Sequence, residues 1–121
     1  MAEIFIAGNV PSSKNSKVWT GKFLVHSKTV RNYIKESKED WVNNKEKFLK
    51  LIKEKEPPYE VSFKFFRKSR RKFDYINPAQ TAQDLMVKYE WIEDDNCEFI
   101  KPSFEDYVYD KENPGVEIRV L

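Results

Sequence analysis

The stretch YEVSFKFF, residues 59 to 66, alternates apolar and polar side chains, and its residues Val61, Phe63 and Phe65 fall on one face. This two-residue period predicts a strand with that face in the core. Pro57 and Pro58 precede the strand and end any helix before them, because proline cannot continue a helix. The strand therefore separates a long helical pattern from a shorter one.

The chain before this strand predicts a strand, a hairpin and one long helix. Residues 3 to 8 are expected to form the first strand, and residues 17 to 26 the hairpin after a polar loop. Ser27 is a suitable N-cap for a helix that runs to about Lys55. Apolar side chains recur there with helical spacing, at Val30, Tyr33, Ile34, Trp41, Phe48, Leu51 and Ile52.

The chain after the strand predicts a shorter helix and two closing strands. Asn77 is expected to cap a helix that starts at Pro78 and continues to about Tyr89. Residues 98 to 110 and 115 to 121 are expected to be the closing strands. The whole order predicts an α+β fold in a single domain, with a mixed, mostly antiparallel sheet, one long helix and one shorter helix.

Composition argues against several classes of protein. The 121 residues suit one domain with a modest core, and the net charge is only +2. Cys97 is the only cysteine and His26 the only histidine, which argues against a disulfide, a structural zinc site and a histidine-based triad. Without an export signal or a membrane span, we expect a cytoplasmic protein that contacts no membrane. Cys97 itself is expected to be buried.

Charge is segregated along the chain. Residues 64 to 72 (KFFRKSRRK) carry six positive charges and no acid, whereas residues 84 to 98 carry six acids against one lysine. Six unopposed cations exceed what solubility needs and predict a surface for the phosphate backbone of a nucleic acid. The residues expected to contact phosphate are Arg67, Lys68, Arg70, Arg71 and Lys72, with Lys14 of the first loop in addition.

The acids predict a metal site. Asp74 precedes the second helix, and Asp94 and Asp95 follow it in a segment expected to fold back along the helix. Carboxylates that meet in this way repel each other unless a cation lies among them, and oxygen ligands suit Mg²⁺ or Mn²⁺. Asp74, Asp94 and Asp95 are therefore the predicted ligands of a metal that activates water for attack on phosphorus.

The second helix carries a polar stripe beside this predicted site. Asn77, Gln80, Thr81 and Asp84 fall at offsets of three, four and seven and are expected to share one face. Simpler interpretations stay open for the individual residues. Asn77 is a helix cap in any case, Asp84 suits a solvated acid or a partner of a ligand, and residues 94 to 96 suit an ordinary turn.

The same residues match a known family. The basic run with Asp74 and Asn77 (RRKFDYIN), the helix acid Asp84 (QDLM) and the Asp94-Asp95 pair (EWIEDDN) together resemble the RusA-type Holliday junction resolvases. The first strand, the VPSSKNS loop and the FLVHS segment resemble the opening of that family, so the likeness covers nearly the whole chain. The Asp-Asp pair alone is a weak signal, whereas the full spaced set is fairly specific.

The resemblance implies a small Mg²⁺-dependent endonuclease, of the kind found in phages and prophages, that resolves four-way DNA junctions in recombination and repair. It implies a homodimer, whose two-fold symmetry would match that of the junction and cut two strands symmetrically. It also implies that the spaced set forms the catalytic residues: Asp74, Asn77, Asp84, Asp94 and Asp95.

Two positions depart from the family pattern. Ile76 stands where the family has a second Asp, and Gln80 stands where it has a catalytic Lys. Three interpretations stay open. Asn77 completes the site as a neutral ligand or orienting group, or Asp84 or Glu93 takes over, or the protein binds junctions without cutting them. A weaker alternative is a protein-interaction domain with an incidental basic loop.

Overall fold

The computed structural model describes residues 3–12, 17–19 and 24–121, which fold into strands and helices as follows. The strands are β1 Glu3–Ala7, β2 Lys17–Trp19, β3 Leu24–His26, β4 Tyr59–Arg67, β5 Ile100–Phe104, β6 Val108–Tyr109 and β7 Gly115–Val120. The helices are α1 Lys28–Asn43, α2 Lys45–Ile52 and α3 Ile76–Lys88.

A mixed sheet of five strands runs in the order β1-β7-β4-β5, with β6 also paired to β4. Strand β7 is antiparallel to both β1 and β4, whereas β5 and β6 are parallel to β4. Strands β2 and β3 pair separately as the predicted antiparallel hairpin, whose turn lies outside the described residues. The predicted α+β fold, with a mixed and mostly antiparallel sheet in one domain, is confirmed.

Strand β4 lies at the centre of the core. Val61, Phe63 and Phe65 are fully buried, as the two-residue period predicted. The register places Phe63 opposite Ile118 of β7, and Ile118 opposite Ile4 of β1, so an apolar row crosses the sheet. Helices α1 and α2 contact β1 and β7. Burial of this row against the helices is the main favourable term for the sheet.

The predicted long helix is two helices that meet at Asn44. Ser27 caps α1 as predicted, and its Oγ accepts from the N–H of Val30. Asn44 has φ −94° and ψ 0°, and its side-chain Nδ2 donates to the main-chain carbonyl of Asp40 at 2.8 Å. A side-chain amide that competes for main-chain carbonyl groups weakens the helix at that point. Helix α2 ends at Ile52, short of the predicted end.

Helix α3 begins earlier than predicted. Ile76 is its first residue and Tyr75 its N-cap, so the predicted cap at Asn77 and start at Pro78 are wrong. The N–H of Asn77 instead donates to the main-chain carbonyl of Asp74 at 3.0 Å. Pro78 has no N–H, and it is tolerated here because an N–H in the first helical turn would have no intrahelical acceptor. The end of α3 at Lys88 agrees with the prediction.

Three further predictions are wrong. Residues 98 to 110 form two short strands, because the N–H of Tyr107 donates to the Tyr75 hydroxyl instead of a neighbouring strand. Thr81 is buried, not on a polar face, because its Oγ1 donates to the main-chain carbonyl of Pro11 at 2.7 Å. Cys97 is exposed, not buried, since it lies in the loop after α3.

A buried chain of hydrogen bonds joins α1 to the segment after α3. Trp91 Nε1 donates to the main-chain carbonyl of Trp41 at 2.8 Å, and Trp41 Nε1 donates to Ser37 Oγ at 3.1 Å. Ser37 Oγ in turn donates to the main-chain carbonyl of Tyr33 at 2.7 Å. The rings of Trp41 and Phe48 pack on Trp91 with centroid distances of 5.2 and 5.1 Å.

Replacing Ser37 by alanine is expected to lower the free energy of unfolding by about 1–3 kcal/mol, because the buried Trp41 indole N–H then lacks its acceptor. Urea unfolding followed by tryptophan fluorescence measures this change. Ser103→Ala, at an exposed position of β5, is the control and is expected to stay within about 0.5 kcal/mol of wild type. Equal losses in the two variants would contradict the proposed contribution of the hydrogen-bond chain.

Candidate nucleic-acid interface and acidic site

The basic run leaves the sheet at the end of β4 and leads to α3. Its side chains at Lys68, Arg70, Arg71 and Lys72 are exposed. The main chain is tied down at the start of this run, because the N–H of Lys68 donates to Asn9 Oδ1 at 3.1 Å. Four cations thus reach solvent from a loop whose first residue is fixed, which suits contact with an extended phosphate backbone.

Arg67 differs from the other cations of the run. Its Nη1 donates to the main-chain carbonyl of Val10 at 2.6 Å, and its guanidinium lies 4.5 Å from the centre of the Phe73 ring. Burial lowers the pKa of Arg67 from its ordinary value. The guanidinium therefore joins three segments of the chain. These contacts do not test the predicted contact of Arg67 with phosphate. They do give Arg67 a separate role in holding the fold together.

Lys14, the predicted phosphate contact of the first loop, lies outside the described residues. The segment just before it is held on both sides. Val10 accepts from Arg67, and Pro11 accepts from Thr81 of α3. The start of the first loop is thus fixed between the end of β4 and helix α3.

The chain reverses sharply after α3. Glu90 takes a left-handed conformation with φ 64°, and its N–H donates to the Val87 carbonyl at 3.0 Å. The N–H of Trp91 donates to the Met86 carbonyl at 2.8 Å. These two bonds form a Schellman motif, which ends a helix and turns the chain back. Because Trp91 and Ile92 are buried, the returning segment is held against the core.

The returning segment brings Asp95 to helix α3, as the sequence predicted. Gln80 Nε2 donates to Asp84 Oδ1 at 2.7 Å and to Asp95 Oδ2 at 2.8 Å. Gln80 and Asp84 are neighbours because they are four residues apart on one helix. Two carboxylate oxygens from segments well separated in sequence thus converge on one amide nitrogen.

Asp94 has a local role in the same turn. Its Oδ1 accepts from the N–H of Asp95 at 2.8 Å, and its Oδ2 accepts from Asn96 Nδ2 at 2.9 Å. Asn96 Oδ1 accepts in turn from the N–H of Glu98 at 2.8 Å. Asp94 and Asn96 therefore shape the loop that presents Asp95, which fits the interpretation of these residues as a turn.

Asp74 lies in the loop before α3, apart in sequence from Asp84 and Asp95, and is exposed. Among residues 3–12, 17–19 and 24–121, no group of three or more His, Cys, Asp or Glu side chains is arranged to hold a metal ion. The structure thus brings together Asp84 and Asp95, and it does not group Asp74 with Asp94 and Asp95. The ligand role of these three residues stays a prediction.

The Asp84–Asp95 pair supplies two carboxylate oxygens. Mg²⁺ is commonly bound by one or two carboxylates and keeps several waters, which a substrate phosphate then replaces in part. Both oxygens lie within hydrogen-bond distance of Gln80 Nε2, so at most the sum of the two distances separates them. The Gln80 amide group occupies the position between them, and an ion bound there would have to displace it.

Gln80 is the residue whose role the sequence did not reveal. The replacement of the family's lysine by Gln80 suggested only the loss of a cation. In the structure, the Gln80 side chain hydrogen-bonds to the carboxylates of Asp84 and Asp95. The four-residue spacing of Gln80 and Asp84 was the available signal, since a glutamine and an acid at this spacing hydrogen-bond on a helix. The contact with Asp95 depends on the helix-ending turn and has no local signal.

Replacing Arg67 by alanine is expected to lower the free energy of unfolding by about 1.5–3 kcal/mol, because the Val10 carbonyl loses a charged donor and Phe73 loses its covering group. Arg71→Ala is the matched control, expected within about 0.5 kcal/mol of wild type because Arg71 is exposed. Urea unfolding of both variants tests this difference. Equal stability of the two would show that Arg67 holds nothing in place.

A scan against models of protein families and a search of curated proteins gave no match to this chain. The resemblance to RusA-type resolvases therefore depends on the spacing of the residues quoted above. In the part of the chain that the structure describes, no helix has the length and apolar character needed to cross a membrane.

Proposed function

We propose that this protein is a divalent-metal-dependent endonuclease that acts on branched DNA, with the four-way junction as its substrate. The observation that carries the proposal is the convergence of Asp84 Oδ1 and Asp95 Oδ2 on Gln80 Nε2, on the helix that follows the basic run. Carboxylates for a metal and cations for phosphate are the two parts that hydrolysis of a phosphodiester requires.

The basic run supplies binding and position. Lys68, Arg70, Arg71 and Lys72 are exposed, and each is able to neutralise a phosphate without reading the base sequence. Gln80 carries no charge where the resembled family has lysine. In this proposal the exposed cations of the run therefore take over the neutralisation of the phosphate that is cut.

The acidic pair supplies the metal site. Asp84 and Asp95 provide oxygen ligands, and Gln80 holds their side chains in place before any ion arrives. These oxygens would hold Mg²⁺ or Mn²⁺, whose chemistry would be to activate a water and to offset charge on the phosphate. Asp94 shapes the turn that presents Asp95, and Asp74 and Asn77 lie where α3 begins, between the basic run and the pair in sequence. We propose Asp74 as a further ligand that joins when DNA is bound.

Two other parts of the proposal concern assembly and location. A homodimer is implied by the family resemblance and would let two sites act on the two strands of a symmetric junction. A cytoplasmic location suits the exposed thiol of Cys97, because reducing conditions protect such a thiol from oxidation.

The first test is cleavage of a synthetic four-way junction with Mg²⁺ or Mn²⁺, comparing wild type with Asp95→Asn. Paired nicks by the wild type are expected to slow about a hundredfold or more in the variant, because one charged ligand is lost. Glu98→Gln, which neutralises an exposed acid of the same loop, is the control and is expected to cut at the wild-type rate. Equal cutting by all three proteins would exclude Asp95 from the site.

A second candidate function is binding of junctions without cutting. The observation that favours it is that Gln80 already donates to one oxygen of each carboxylate, so the two acids are held together without an ion. This candidate predicts tight junction binding in the presence of a chelator and no nick with either metal. The cleavage experiment therefore separates the two candidates directly.

Binding in either case is expected to depend on salt through the basic run. Replacing Arg71 and Lys72 together by alanine is expected to weaken junction binding and to reduce the slope of log affinity against log salt by about 2, because two phosphate contacts are lost. Fluorescence anisotropy across a series of KCl concentrations measures the slope. Alanine at the exposed Lys53 and Lys55, outside the run, is expected to leave it unchanged. An unchanged slope in both double variants would remove the run from the DNA interface.

A further inference from the structure

Aromatic side chains form a continuous patch where β4, β5 and β6 meet the start of α3. What we call the aromatic patch consists of the rings of Phe73, Tyr75, Phe104, Tyr107 and Tyr109. Three of these rings reach solvent, with exposed fractions of 36% for Phe104, 38% for Tyr107 and 39% for Tyr109. Aromatic rings are usually placed where they bury most of their area, so several partly exposed rings in one patch mark a surface for recognition.

Four of the five rings are held in place by one another, whereas Tyr109 is contacted by Arg70. Tyr75 stacks on Phe104 with a centroid distance of 5.7 Å and an interplanar angle of 21°. The Phe73 ring meets Tyr75 edge-on at 5.1 Å and Tyr107 edge-on at 5.2 Å. The Tyr75 hydroxyl accepts from the N–H of Tyr107 at 3.1 Å. The patch is therefore rigid before a ligand binds, so little side-chain entropy is lost on contact.

The basic run covers one side of the aromatic patch. The Arg67 guanidinium lies 4.5 Å from the centre of the Phe73 ring, and that of Arg70 lies 4.2 Å from the centre of the Tyr109 ring. Arg67 is paired with Tyr109 in the register of β4 and β6. Two arginines of the run thus lie against rings of the patch, and both contacts are of the cation–π type.

The charges around the patch favour an anionic partner. Of the nearby acids, Glu105 lies close to Ser62 and Arg119, and Asp110 accepts from the N–H of Asn113. Asp74 and Asp106 are exposed beside rings of the patch, and the run has more exposed cations than these two acids: Lys68, Arg70, Arg71 and Lys72. A protein partner would need only an apolar surface, whereas exposed rings bordered by cations match the bases and phosphates of unpaired nucleic acid.

We propose that the aromatic patch stacks unpaired bases of DNA, while the basic run holds the phosphates that join them. This inference rests on the proposed action on branched DNA. It restricts the range of substrates, because the preferred ones carry unpaired or unstacked nucleotides at the branch. The bases stack on the partly exposed rings of Phe104, Tyr107 and Tyr109, and on Tyr109 a base takes the place of the Arg70 guanidinium. Since every base has a flat π-face, the contact selects unpaired structure and not base sequence.

The test measures binding to a forked duplex with short thymidine arms, to the same fork with abasic arms and to the plain duplex, by fluorescence anisotropy in a chelator. The wild type is expected to prefer the thymidine fork over the abasic fork. Tyr107→Leu with Tyr109→Leu is expected to bind the thymidine fork about a hundredfold more weakly, at roughly tenfold for each ring lost, and the abasic fork with little change.

Two control variants distinguish the loss of a stacking contact from the loss of the fold. Tyr107→Phe with Tyr109→Phe keeps both rings and is expected to bind like the wild type. Phe5→Leu removes an exposed ring of β1 that packs against Phe66, and this variant is also expected to bind like the wild type. A thermal melt of each variant checks that it is folded.

Failure of this inference looks different from failure of the proposed function. Equal binding of the thymidine and abasic forks by the wild type, with no effect of the leucine substitutions, would overturn the stacking role while junction binding and cleavage remain. Absence of binding to any of the three DNAs and to the four-way junction would overturn both. Base-dependent binding that the leucine variant loses would support the inference even if no metal produced a nick.

Discussion

The hydrogen bond from the Trp91 indole to the main-chain carbonyl of Trp41 determines the course of the chain after α3. The Schellman motif at Glu90 starts the return, and the buried Trp91 anchors it. Because the indole is buried and its N–H is satisfied by α1, the core holds the direction that the turn begins. The approach of Asp95 to Gln80 therefore depends on both the turn and the packing of Trp91.

The two candidate surfaces, the basic run and the acidic pair, are supported by different contacts. The basic run is fixed by Arg67, whose partners are a carbonyl of the first loop and the ring of Phe73. The acidic pair is fixed by Gln80 and by the turn built on Asp94. Helix α3 links them, since its first turn follows the run and its middle carries the pair. A change to one surface is thus able to leave the other in place.

Much of the fold followed from the sequence because its signals are local. The alternation of Val61, Phe63 and Phe65 and the N-cap at Ser27 each depend on residues a few positions apart, and both predictions hold. The break at Asn44 was missed because an asparagine side chain competes for carbonyl groups without disturbing the apolar period. Thr81 was misplaced because its acceptor belongs to a loop seventy residues earlier.

The candidate site was predictable in part. The fold-back of Asp95 was inferred correctly, whereas the bridging by Gln80 and the structural contacts of Arg67 arise from tertiary contacts that no spacing reveals. The aromatic patch was missed for the same reason. Its rings come from two stretches of the chain, around Tyr75 and around Tyr107, that are brought together only by the parallel pairing of β5 and β6 with β4.

The pairing of β1 with β7 has a consequence for biosynthesis. Glu3 lies opposite Arg119 in the register, and Gly115 faces Ala7 at a place where the Phe5 ring leaves no room for a side chain. Strand β7 also separates β1 from β4, so the first strand has no neighbour in this sheet until the last one has left the ribosome. Such non-local closure is slow and leaves apolar edges open in the meantime. In a nascent chain, Ile4 and Ile6 therefore lack their partners in the sheet until β7 has been synthesised.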